Sequence, residues 1–246
     1  SSQCLMALLC SELDDPNPEP CGVCAPCTGG HYGESRPAPD LVVAAESFVS
    51  NRSLKILPRL AWVGDAMLEK YQWTGRIPVH LRPAEGRALC RWGDGGWGAL
   101  VRRGKQVDHR FEDSLVTAAA QLIEDRWRPR PAPSWVTCVP SLRDPLLVAE
   151  FAERLAASLG LRFRQALVKV RPTEAQKTMN NSAMQLKNQV GAFEVARTQM
   201  LDGPVLLVDD VVDSRWTFTV ASALLREAGS PAVYPLALAD ASVGMD

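Results

Sequence analysis

Four of the seven cysteines, Cys4, Cys21, Cys24 and Cys27, follow the spacing C-x16-C-x2-C-x2-C. The last three fall in Pro20-Cys-Gly-Val-Cys-Ala-Pro-Cys27, where glycine and proline favour tight turns. Turn cysteines together with one thiol from a helix can supply four thiolates to a tetrahedral zinc ion, each about 2.3 Å from the metal. Such a site is closed, so its role is structural rather than catalytic. Cys10 shares the expected helix with Cys4, but its apolar neighbours Leu5, Leu8 and Leu9 make it a buried residue rather than a ligand. Cys90 and Cys138 fall in strand-like runs and read as core. His31, His80 and His109 show no metal spacing.

The second chemical feature is charge. The formal net charge of −1 hides an uneven distribution: residues 1 to 50 carry seven acids against one arginine, whereas residues 51 to 110 carry twelve basic residues against five acids. A basic block inside a neutral chain fits a nucleic-acid phosphate partner, and also fits ordinary surface charge.

Three segments position these groups. A chain of 246 residues exceeds the usual single-domain size, and 46% hydrophobic with 22% charged residues belongs to a folded globular protein. No run approaches the roughly 18 to 20 apolar residues that span a bilayer, so no membrane partner is expected and the chain reads as cytoplasmic. Residues 1 to 40 are rich in cysteine, proline and glycine, too few for a core of their own, and end in the linker-like run at 33 to 40. A second linker, Arg128-Pro-Arg-Pro-Ala-Pro133, should be extended, since each proline fixes φ and removes a donor. The expected domains are therefore a zinc module at 1–40, a basic module at 41–128 and an α/β domain at 134–246.

Within 41–128, apolar spacing predicts short helices at 41 to 49 and 53 to 70. Two short strands then flank Gly93-Asp-Gly-Gly96 as a β-hairpin over 87 to 101. A helix follows at 113 to 127, capped by Asp113 or Ser114. Helices followed by a basic hairpin predict an α+β, winged-helix-like module. After residue 134 strands and helices alternate: strand 135–139, helix 145–159, strand 161–170, strand 205–208, helix 217–228 and strand 232–238. Val205-Leu-Leu-Val208 is wholly apolar, as a parallel strand buried on both faces should be. The fold class is multidomain α/β with a mainly parallel sheet in the last domain.

Cys4-Leu-Met-Ala-Leu-Leu, Leu13-Asp-Asp-Pro16 and the cysteine run to Cys27 together resemble the zinc module that follows the motor domains of RecQ-type DNA helicases. The likeness covers about residues 3 to 30, and the remainder resembles the tail of a bacterial subgroup ending in a phosphoribosyltransferase-like domain. It implies a parent enzyme that unwinds DNA with ATP in repair and recombination. Neither Gly-x-x-x-x-Gly-Lys-Ser/Thr nor Asp-Glu-x-His occurs, so the chain reads as a fragment, with ATP and magnesium belonging to absent motor domains. In that family a winged helix with a β-hairpin follows the zinc module. The hairpin here would carry Arg91, Trp92 and Trp97, with Arg102, Arg103 and Lys105 just after it, as DNA contacts through base stacking and phosphate neutralisation.

The run Val205-Leu-Leu-Val-Asp-Asp-Val-Val-Asp-Ser-Arg-Trp-Thr217 resembles the phosphoribosyl-pyrophosphate motif of type I phosphoribosyltransferases. Gln176 and Asn188-Gln-Val-Gly-Ala-Phe193 are similar to the ComF-like branch of that fold. The likeness implies that Asp209 and Asp210 contact ribose hydroxyls, while Ser214, Thr217 and the helix terminus hold a 5′-phosphate. Asp213 and Arg215-Trp216 depart from it, since the family has a small hydroxyl residue and then glycine there. A Cβ with a long side chain obstructs the backbone's approach to phosphate, and Asp213 adds a repelling charge. The last domain is accordingly expected to be noncatalytic, with an active transferase as the rival and a protein-docking role as a third reading.

Overall fold

The structure, a computed structural model, describes residues 3–30, 37–50, 53–173 and 182–242. Residues 33–36 of the linker expected at 33 to 40, together with His31 and Gln176, lie outside those residues. Two units separate, Ser1–Phe48 and Val49–Asp246.

The first unit holds helix α1 (Leu5–Glu12), the single turn α2 (Ala25–Thr28) and most of α3 (Pro39–Ser50). Among the described residues its buried cluster is Cys4, Ala7 and Cys24, with Cys21 and Cys27 packed against it. Leu5, Leu8 and Leu9 were expected to enclose Cys10; instead they are 47%, 39% and 51% exposed, and Cys10 is half-buried. A segment this short has no layer to cover such a face, so the thiols take the place of an apolar core.

The second unit is one α/β domain, and the boundary expected at 128 to 133 does not divide it. Its sheet runs β1-β2-β8-β7-β3-β4, formed by Leu54–Ile56, Gly86–Arg91, Val233–Asp240, Val205–Val212, Trp135–Cys138 and Arg162–Phe163 in that spatial order. Every pair is parallel except the edge pair β1–β2. β2 lies alongside β8, in register from Arg87↔Leu236 to Arg91↔Asp240, so residues before the proline linker complete the sheet after it. Gly86 permits that approach, because a Cβ there would collide with the Pro235 carbonyl. A separate antiparallel ribbon joins β5 (Leu167–Lys169) to β6 (Phe193–Val195).

The parallel strands alternate between two cores, as a sheet covered on both faces must. Val205 and Leu207 enter the core beneath α9 (Trp216–Glu227), with Trp62, Trp73 and Ile77. Leu206 and Val208 enter the opposite core beneath α5 (Trp97–Arg103), α6 (Asp113–Gln121) and α7 (Leu147–Ser158). Each fully buried Val or Leu contributes on the order of 1.5–3 kcal/mol, so the two cores together fix the strand order.

Several expected elements take other forms. The hairpin over 87 to 101 is absent: its first half is the interior strand β2, and its second half is helix α5, which begins after Gly96 at φ 64. Gly98 packs against the Arg91 carbonyl, a contact any Cβ would block, and this turns the chain from strand into helix. Among the described residues no winged-helix arrangement is seen. Residues 53 to 70 give strand β1 and the short α4 (Leu68–Tyr71) rather than one helix. The helix at 113 carries no side-chain cap bond, and its N-cap is Glu112. The strand expected at 161 to 170 splits into β4 and β5 in different sheets. The strand at 205 runs on through both aspartates to Val212, because β8 continues beside it. Among the described residues no helix is long and apolar enough to cross a membrane.

Candidate functional site

The four expected metal ligands converge. The Sγ atoms of Cys4, Cys21, Cys24 and Cys27 all lie within 4.8 Å of one another, with Cys24 Sγ 3.7 Å from Cys4 Sγ and 3.4 Å from Cys27 Sγ. Tetrahedral thiolates about 2.3 Å from one ion require separations of about 3.8 Å, so the set fits a metal. The turns orient the donors: Cys24 precedes α2 and Cys4 is the N-cap of α1. The Ala7 and Cys21 amides donate to Cys4 Sγ at 3.4 and 3.2 Å, and these bonds hold its thiol down to about 6. Burial raises Cys24, but donation from the Leu5 and Cys27 amides outweighs it and the net shift is downward. Cys27, bonded to the Cys24 thiolate, is pushed up to about 11. A cation shared by the four sulfurs would remove that competition for protons.

The second site is the turn from β7 into α9. Side-chain alternation along β7 sends Asp210 to the same face as Leu206 and Val208, where the π-helical turn after α5 carries Lys105. Lys105 Nζ lies 2.8 Å from Asp210 carboxylate oxygens. Asp209 accepts the Asp210 amide at 2.9 Å. Burial, then the Asp210 charge, pushes its carboxyl up to about 8, with Lys105 and Lys169 offsetting part of the effect. Lys169 on β5 is itself lowered by burial and donates to Thr173 at 2.7 Å.

Beyond the acids, Arg215 has φ 67, the left-handed conformation a glycine would adopt without strain. Trp216, the first residue of α9, is fully buried, and its Nε1 donates to Ser182 at 2.9 Å. A strap after β1 closes over this turn. Arg59 donates through Nε and Nη2 to the Ser214 carbonyl at 2.9 and 2.7 Å, and its guanidinium lies 4.0 Å from the centre of the Trp216 ring. Arg215 Nη1 donates to the Leu57 carbonyl at 3.3 Å. Behind them Trp216, Trp62, Trp73 and Tyr71 stack in a column with centroid spacings of 6.3, 5.1 and 4.6 Å. An open cavity of about 270 Å³, lined by Lys70, Tyr71, Glu194 and Arg197 among others, lies elsewhere and involves none of residues 209 to 217.

The expected DNA contacts scatter. Arg91 is exposed at the end of β2, and Arg102 is exposed on α5. Arg103 pairs with Asp108 at 2.9 Å, and Lys105 is taken by Asp210. Trp92 and Trp97 pack against the second core instead of projecting from a hairpin tip. The phosphate-loop residues Asp209, Asp210, Asp213, Ser214, Arg215 and Thr217 do share one strand-loop-helix turn. Arg59 carried no signal in sequence, being one of twelve basic residues in its block.

No family model and no curated protein matches this chain. Similar solved structures include an adenine phosphoribosyltransferase, 19% identical with a TM-score of 0.36 over 52% of this chain and 71% of that one. The adenine phosphoribosyltransferase of Leishmania tarentolae is 15% identical, TM-score 0.36, over 56% and 74%. The glutamine phosphoribosylpyrophosphate amidotransferase of B. subtilis is 20% identical, TM-score 0.34, over 51% of this chain and 26% of that one. Fold and site define an α/β domain with a mostly parallel sheet, joined in sequence to a four-cysteine module.

Proposed function

We propose that this chain is a non-motor tail of a RecQ-like DNA helicase, in which a module folded around one zinc ion joins a phosphoribosyltransferase-like domain that no longer transfers ribose phosphate. An all-thiolate, closed tetrahedral set suits zinc over magnesium or calcium, which prefer oxygen ligands. Cys4, Cys21, Cys24 and Cys27 would hold the ion, and its contribution is folding energy for a module without an apolar core. ATP and magnesium would act in motor domains, in a cytoplasmic repair or recombination setting.

The loss of transfer is carried by one observation: the β7–α9 turn keeps a glycine-like backbone at Arg215 but is covered by Arg59, which bonds the Ser214 carbonyl and stacks on Trp216. A ligand phosphate on the loop amides would have to displace that strap. DNA contact would come from exposed cations such as Arg91 and Arg102. Comparing unwinding by the parent helicase with and without residues 49–246 tests the role; identical rates and strand affinity would remove it.

A second reading, a ribose-phosphate-binding or active transferase domain, is favoured by Asp209, Asp210, Ser214 and Thr217 occurring in order along one strand-loop-helix. Release of pyrophosphate from phosphoribosyl pyrophosphate in the presence of a nucleobase would establish it.

A further inference from the structure

We propose that the stacked column of Trp216, Trp62, Trp73 and Tyr71 is a hole-transfer path, carrying a one-electron oxidation from the buried start of α9 to the Tyr71 phenol at the open cavity. Successive ring centroids lie 6.3, 5.1 and 4.6 Å apart, with interplanar angles of 18°, 12° and 17°. Electron transfer weakens steeply with the gap between donor and acceptor, and three near-parallel contacts in series keep every gap short. A core needs only apolar volume, which leucine or phenylalanine supplies. Every ring in this column is instead an indole or a phenol, the aromatic side chains that give up an electron most readily. Trp216, Trp62 and Trp73 are buried, whereas Tyr71 is half-buried and lines the cavity.

Protons set the direction. An oxidised indole or phenol is a strong acid, so the hole settles where the proton can leave. Trp62 Nε1 is buried and has no hydrogen-bond partner, and Trp216 Nε1 donates to the Ser182 hydroxyl, a poor base. Neither indole has a base to take its proton, so each passes the hole on. The Arg59 guanidinium, 4.0 Å from the Trp216 ring centre, further disfavours a radical cation there. At the other end the Tyr71 hydroxyl accepts from the Gly191 amide at 3.0 Å, which leaves its own proton to donate. The Glu194 and Glu227 carboxylates line the same cavity, and their charges add to burial in pushing the phenol up. Lys70 Nζ, 5.8 Å from the Tyr71 ring centre, penalises a cationic ring, so proton loss accompanies oxidation.

An outer-sphere one-electron oxidant takes an electron from Trp216. Electrons then move from Tyr71 through Trp73 and Trp62 to refill it, and the phenol gives its proton to a carboxylate or to water. The net products are a phenoxyl radical, a proton and the reduced oxidant. A small thiol entering the cavity would return the hydrogen atom to Tyr71 and leave as a thiyl radical.

The test uses the full chain carrying Tyr32→Phe and Tyr234→Phe, in which Tyr71 is the sole tyrosine. A laser pulse ionises the tryptophans, dissolved oxygen takes the ejected electrons, and transient absorption follows the radicals. The tyrosyl signal should grow as the tryptophanyl signal decays, in a first-order phase independent of protein concentration. Trp73→Phe should remove that phase, and Trp62→Phe should shrink it; Trp127→Phe, outside the column, should leave it in place. Melting followed by circular dichroism identifies the variants that stay folded, and either interruption suffices. No tyrosyl growth in the single-tyrosine chain, a phase whose rate scales with protein concentration, or an unchanged phase in a folded Trp73→Phe or Trp62→Phe chain overturns the proposal.

Discussion

Lys105 Nζ lies 2.8 Å from the Asp210 carboxylate, joining the turn after α5 to the end of β7 across a sequence separation of 105 residues. The pair gives Asp210 a fixed partner, while Asp209 is the carboxyl that burial disfavours in its charged form.

A pH dependence follows from Asp209. Its folded carboxyl stands near 8, above the ordinary 3.8, so the folded state binds a proton more tightly than the unfolded chain. The stability this contributes is complete below about pH 4 and is lost as pH rises through about 8. Urea denaturation should show the domain less stable at pH 9 than at pH 6, and Asp209→Asn should flatten that difference. An unchanged slope in the variant would place the titration on another group.

The domain boundary gives a second prediction. Because β2 completes the sheet beside β8, a fragment of residues 134–246 exposes the β8 edge and loses the partners of Leu236 and Ala237. It should aggregate or remain unfolded, whereas residues 49–246 should melt cooperatively. A cooperative transition from the shorter fragment, measured by circular dichroism, would restore the boundary at the proline linker.

Trp216 anchors the aromatic column and the strap together. Trp216→Ala should cost about 3–5 kcal/mol in chemical denaturation, as for other large-to-small core changes, and release Arg59 from its ring. A loss under 1 kcal/mol would mean that the column tightens around the gap.

For the first unit, Cys21→Ser should lower zinc content, counted by a chromogenic chelator, and unfold the module. Cys10→Ser should leave both unchanged, since Cys10 is outside the group of four sulfurs. Full metal occupancy in the Cys21 variant would make Cys10 a substitute ligand.

What the sequence made legible was local. The cysteine spacing placed all four sulfurs, because turns of three residues leave little freedom. Likewise, the apolar run before Asp209 announced a buried parallel strand. The hairpin failed for a nonlocal reason: Gly86-Arg-Ala-Leu-Cys-Arg91 alternates like any edge strand, and only its pairing with β8, more than 140 residues away, makes it interior. Trp92 and Trp97 looked available for stacking because their partial burial depends on the second core, which residues distant in sequence assemble. The strap was invisible for the same reason, since nothing adjacent to Arg59 specifies Ser214 as its acceptor.

The central claim is that the covered, arginine-bearing turn no longer serves ribose-phosphate transfer. Isothermal titration of the zinc-loaded chain with phosphoribosyl pyrophosphate and magnesium tests it most directly. The account predicts no magnesium-dependent binding, because Arg59 bonds the Ser214 carbonyl and covers the turn. Micromolar binding that requires magnesium and is lost in Asp209→Asn would contradict it.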